Sequence, residues 1–122
     1  MHKSASHIAS KLDALRQEYA VQLTTRFDTI EALWRQLCLE SWSDVTLNAL
    51  FLEIHRLSGS AATFGFERLS AASVAVERIV KPWTGLSARP AAEELEAVDR
   101  LIARLRVDVA SDVPDRPSFE QD

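Results

Sequence analysis

"DVTLNALFLEIHRLSGSAATFGFERLSAASVAVERIV", residues 44 to 80, carries two apolar stripes of helical period on either side of one glycine. Leu47, Leu50, Phe51, Ile54, Leu57 and Ala61 recur at steps of one, three and four, which gathers them on one helix face. Leu69, Ala72, Val76 and Ile79 repeat the pattern at an offset of 22, and Gly65 supplies the stop between the blocks. Ser43 or Asp44 caps the first helix by accepting from its free amide groups. Pro82 closes the second, because its ring disfavours a helical Lys81. Two amphipathic helices joined by so short a turn predict an antiparallel hairpin.

The flanking sequence adds two more helical blocks. Upstream, apolar residues fall at Ile8, Leu12, Leu15, Tyr19, Leu23, Phe27, Ile30, Trp34 and Leu37. Three successive steps of four from Leu15 to Phe27 make that stripe drift, so a bend or break is expected near Leu23 to Thr25. Downstream, Leu95, Val98, Ile102, Leu105 and Val109 alternate threes and fours as a bundle helix does. The chain of 122 residues has three glycines and four prolines, and it is rich in helix formers. The reading is an all-α, up-down antiparallel four-helix bundle over residues 1–110, with 111–122, rich in proline and poor in apolar residues, as a flexible tail or linker.

Fourteen basic and eighteen acidic side chains leave a net charge of −4 with no basic stripe, which argues against a nucleic-acid partner. No apolar run approaches the ~18 residues of a membrane span, and the first residues lack the apolar core of a signal peptide. Cys38 is alone on an apolar stretch and reads as a small packing residue rather than a reactive thiol. His2, His7, Cys38 and His55 have no metal-ligand spacing, so no metal site is expected. Together these features suggest a cytoplasmic location.

One residue stands out against this background. At 100° per residue His55 lies about 90–100° from the centre of its apolar stripe, flanking the core. Asn48, Leu52, Gly59 and Ala62 share its face, and Gly59 leaves nearly bare backbone one turn away. A mid-helix glycine costs roughly 1 kcal/mol relative to alanine, so close approach by a partner is its natural explanation. Glu77 is the counterpart of His55 in the second helix, at the same offset of 22. Both lie eleven residues from Phe66, which sets them at one height in the hairpin. A carboxylate there can fix the imidazole tautomer and leave the outer nitrogen as a nucleophile.

"HRLSGSAATFGFERL", residues 55 to 69, resembles the signature of histidine-containing phosphotransfer (HPt) domains: histidine, then leucine, glycine, serine and alanine at set intervals, with a later glycine and leucine. Thr63-Phe64-Gly65-Phe66 is similar to the version in chemotaxis-type histidine kinases, where a glutamate of the next helix supports the histidine, and Glu77 falls at that position. The resemblance implies that His55 accepts a phosphoryl group from a receiver aspartate or a histidine kinase and passes it to a response-regulator receiver domain. It implies a phosphocarrier with no autokinase or hydrolase activity and no cofactor of its own, the Mg2+ belonging to the receiver. The lysine that the family places three residues after the histidine is Ser58 here, and Arg56 lies about 100° round the helix from His55. That departure leaves a second reading open, a degenerate HPt-like bundle that only docks a receiver or kinase.

Overall fold

Ser43 stands in extended backbone and its Oγ accepts from the N–H of Thr46 at 3.1 Å, opening helix α2, Asp44–Thr63. At the other end Gly65 adopts φ +79°, a conformation that a side chain would strain. There the Phe66 N–H reaches the Ala61 carbonyl (2.8 Å) and the Gly65 N–H that of Ala62 (3.1 Å). Those two bonds satisfy carbonyls at the end of α2 and reverse the chain into α3, Glu67–Val80. The opening amides of α3 are served from a distance: both carboxylate oxygens of Asp112 accept, from Arg68 N–H (3.1 Å) and Leu69 N–H (2.8 Å). The expected hairpin is therefore present, with Ser43 rather than Asp44 as the side-chain cap.

The computed structural model describes residues 2–86 and 88–112. Helix α1, His2–Arg35, runs into a wider π-helical turn at Gln36–Glu40, and α4 spans Ala92–Asp112. With α2 packed chiefly on α3 and α3 on α4, the described residues form an all-α four-helix bundle without strands. Helix α4 continues through Ser111 and Asp112, past the expected boundary at 110. The remainder of the expected tail, 113–122, lies outside the described residues.

Helix α1 differs from expectation in two ways. It is unbroken through Leu23 to Thr25, and Thr29 Oγ1 donates to the Thr25 carbonyl within the continuing helix. Its departure from α-helical bonding comes at Gln36–Glu40 instead. The drift of the stripe does not require a break because the stripe is not all core. Tyr19 is the first buried residue of α1, while Ile8, Leu12 and Leu15 are exposed. From Tyr19 on, Leu23, Phe27, Ile30, Trp34 and Leu37 all enter the core.

The buried face of α3 is Leu69, Ser73, Val76 and Val80, rotated slightly from the expected stripe, with Ala72 and Ile79 only partly covered. Ser73 is tolerated inside because its hydroxyl donates to the Leu69 carbonyl at 2.8 Å. Lys81 takes helical angles (φ −53°, ψ −46°) despite preceding Pro82, and Lys81–Trp83 form one 3-10 turn. The proline effect is a bias that tertiary packing overrides. Trp83 is buried there, in edge-to-face contact with Trp42 (5.9 Å between ring centres), and its Nε1–H donates to Glu94. Trp42 in turn meets Trp34 edge-on at 6.4 Å, so the three tryptophans pack together at one end of the bundle.

One turn before Trp34 on α1, Glu31 accepts from Arg106 of α4 at both of its oxygens (2.8 and 3.0 Å), and Arg106 also reaches Asp28 at 2.7 Å. The hydrogen bonds from Arg106 hold the Glu31 carboxyl below the usual carboxylate range.

Candidate functional site

Helix α2 carries a buried line, Leu47, Leu50, Ile54, Leu57 and Ala61, and this line fixes the rotation of the helix. His55 follows Ile54 by 100° and therefore emerges at the edge of the α2–α3 seam. Its side chain is 62% exposed, and its Nδ1 lies 3.0 Å from Oε1 of Glu77, which is 21% exposed. The equal spacing of both residues from the Phe66 turn thus brings them to one level, on the same side of the hairpin.

An ionised carboxylate can only accept, so in the neutral ring Nδ1 carries the hydrogen and Nε2 keeps its lone pair. With Nδ1 turned to Glu77, the free nitrogen faces away from it. Phe51, one turn earlier, lays its ring nearly parallel to the imidazole (17°, centres 6.0 Å apart). Carboxylate and phenyl ring together restrict the orientation of a side chain that is otherwise in solvent.

Ser58 sits beneath this pair and is buried. Its Oγ lies 2.8 Å from the His55 carbonyl oxygen and 3.4 Å from Glu77 Oε1, and its single hydrogen serves one of them at a time. The Ser58 carbonyl accepts from Ser70 Oγ at 3.0 Å, a bond that crosses from α3 to α2. Ser58 thus belongs to the hairpin packing, and no ammonium group stands in its place. Arg56 does not replace one: its Nη1 lies 3.8 Å from Oε1 of Glu53, further round the helix.

Asn48, Leu52, Gly59 and Ala62 are all exposed and lie on the His55 face. A Cβ added at Gly59 would meet nothing within 4 Å. The glycine is therefore not required by packing inside the bundle, and what it leaves open is approach from outside.

On the far side of α2, Ser60 Oγ is 2.7 Å from Tyr19 Oη and accepts from Arg26 Nη1 at 2.9 Å. These contacts join α1 to α2 more than one turn beyond His55, toward the Gly65 turn. Phe64 stacks on Tyr19 at 4.6 Å and Phe66 meets it edge-on at 5.2 Å, so both aromatic residues of the motif act in packing.

Reasoning from the sequence reached His55, Glu77 and the shared face. It missed Phe51 as a neighbour of the ring, although its position four residues before His55 was a usable signal. It also missed the Ser70 bond to Ser58, which no spacing rule announces.

The other possible sites are of a different character. A hollow of about 300 Å³ lies among Glu31, Trp34, Cys38, Leu39, Asp99 and Ile102, on α1, the π-turn and α4. Burial pushes the Cys38 thiol up, which lowers its nucleophilicity at neutral pH. Among the described residues no group of three or more His, Cys, Asp or Glu is placed to hold a metal ion, and no helix is long and apolar enough to cross a membrane.

Comparison with known proteins gives one finding. A family model described as "Hpt domain" matches residues 14–108. No curated protein and no solved structure matches the chain.

Proposed function

The chain belongs to the Hpt domain family, whose members act in histidine phosphotransfer with receiver domains or kinases, and on that premise we propose that His55 is its phosphoacceptor. The observation that carries this reading is the pairing of His55 Nδ1 with Glu77 Oε1 on a ring that is otherwise 62% exposed. The Nε2 lone pair attacks the phosphorus of a receiver acyl phosphate, the N–P bond forms, and the aspartate carboxylate leaves. The imidazole gains positive charge in that step. Its Nδ1–H already points at a carboxylate that stabilises this charge, so Glu77 orients the ring without bonding to phosphorus. Return of the phosphoryl group to a second receiver reverses the sequence. The Mg2+ ion that neutralises the phosphoryl oxygens comes with the receiver, and the bundle supplies a held nucleophile and a surface that fits.

Glu77→Gln isolates the positioning role. The amide keeps the size and an acceptor but removes the charge and adds a competing donor, so transfer is expected to slow by roughly 10- to 100-fold. Imidazole nitrogen shifts in NMR are expected to move from mainly Nδ1–H toward a mixture of tautomers, with the melting temperature little changed. An unaltered rate with an unaltered tautomer would sink the positioning role.

The second expectation concerns docking. A receiver is proposed to cover the face of Asn48, Leu52, Gly59 and Ala62, where exposed apolar surface meets backbone that can be approached closely. Gly59→Leu is expected to leave the bundle folded, since its Cβ meets nothing and helix propensity improves. The same variant is expected to weaken binding of a cognate receiver by at least about 10-fold through steric exclusion, read by titration calorimetry. Equal affinity would place the receiver elsewhere.

A further inference from the structure

Helix α1 is too long for the bundle it belongs to. It has 34 residues, against 20, 14 and 21 in α2, α3 and α4. Its contact with the end of the bundle is marked by Arg16, whose guanidinium lies over the Phe66 ring and beside Gly65 in the α2–α3 turn. Residues 7–15 are exposed without exception, and at 1.5 Å per residue they extend α1 by roughly 13 Å. A helical stretch with no packing is marginal in water, and this one carries apolar residues that the described residues leave uncovered. Ile8, Leu12 and Leu15 are 59%, 56% and 47% exposed.

The spacing of these residues indicates what covers them. Ile8, Leu12 and Leu15 stand 4 and 3 apart, the d, a and d positions of a short coiled-coil seam, and Tyr19, the next a position, is already buried in the chain's own core. From Tyr19 the steps change to 4 and 4, and the stripe enters the bundle core. The seam therefore ends where the intramolecular packing begins.

The flanking charges select the orientation. Lys11 and Glu18 occupy g positions and Arg16 an e position. In a parallel pair of identical helices, g meets e of the partner five residues on, which sets Lys11 against Arg16 twice. In an antiparallel pair g meets g, which sets Lys11 against Glu18 twice, while Leu12 packs on Leu15 of the other helix. We propose that this exposed stripe binds the same stripe of a second copy of the chain, antiparallel, with Leu12 and Leu15 at its centre and Lys11–Glu18 pairs on its flank. The two bundles then lie at opposite ends of the paired helices, and both His55 faces stay open.

Sedimentation equilibrium of the whole chain from about 1 to about 300 µM tests this. A monomer–dimer equilibrium is expected, and Leu12→Glu/Leu15→Glu is expected to weaken it at least about 10-fold while circular dichroism shows the helices retained. Lys11→Glu alone is expected to weaken dimerisation, by placing two carboxylates together, and Lys11→Glu/Glu18→Lys to restore it. Tighter association of Lys11→Glu would overturn the antiparallel arrangement, because only the parallel one gains an attraction to Arg16. A chain that is monomeric at every concentration, or a dimer indifferent to Leu12→Glu/Leu15→Glu, would overturn the proposal, whatever the fate of His55.

Discussion

His55→Gln is expected to carry no phosphoryl group when a phosphorylated receiver is supplied, a loss of about 1000-fold or more in transfer rate. The amide nitrogen of glutamine has its lone pair delocalised into the carbonyl, so it cannot replace Nε2 as the attacking atom. The effect is confined to chemistry. His55 is 62% exposed and its side chain touches Glu77 and Phe51 only at the surface of the hairpin. Stability is expected to change by less than about 0.5 kcal/mol. Label on the protein after this substitution would move the acceptor elsewhere, with Ser58 and Ser60 the first candidates. Receiver binding without label in the parent protein would favour the reading as a docking module, which the replacement of the family's lysine by Ser58 left open.

Phe66→Ala is expected to have the largest effect on stability, about 3–5 kcal/mol. Phe66 is 2% exposed, contacts the Tyr19 ring edge-on, and lies under the Arg16 guanidinium. Its N–H also closes the turn onto the Ala61 carbonyl, so the residue joins the reversal of the chain to the packing of α1 on the hairpin. Truncation leaves a cavity where three helices meet. For a domain of this size the melting temperature is expected to fall by roughly 10–20 °C. Val21→Ala, on the same helix as Tyr19 but 76% exposed, is the matched control and is expected to change stability by less than about 0.5 kcal/mol. A Phe66→Ala protein that melts with the parent would mean that the turn is held by its backbone bonds alone.

The central hairpin was legible in the sequence because its information is local. A serine cap, a period of 3.6 and one glycine that adopts φ +79° suffice to place α2, the turn and α3. The His55–Glu77 contact followed from counting residues either side of Phe66, since both helices rise by the same amount per residue. Other features depended on distant parts of the chain. Whether Ile8, Leu12 and Leu15 are core is decided by how far the α2–α3 hairpin reaches, and an apolar period cannot report that. The helical Lys81 before Pro82 depends on Trp83 finding Trp42 and Glu94. The N-terminus of α3 is served by Asp112, 44 residues from Arg68, a partner that no local rule would nominate. Within the site, the contact of Ser58 with Glu77 depends on the register of α3 against α2, which the spacing within one helix does not report.

The most direct test of the account is the position of the phosphoryl group on the ring. Nδ1 is held 3.0 Å from Glu77 Oε1 and is therefore unavailable for attack. Phosphorylation of the whole chain with a phosphorylated receiver, followed by nitrogen and phosphorus NMR at alkaline pH, where a phosphoramidate persists, is predicted to show one phosphohistidine, at His55, bonded through Nε2. A phosphoryl group on Nδ1, or on a serine hydroxyl, would contradict it.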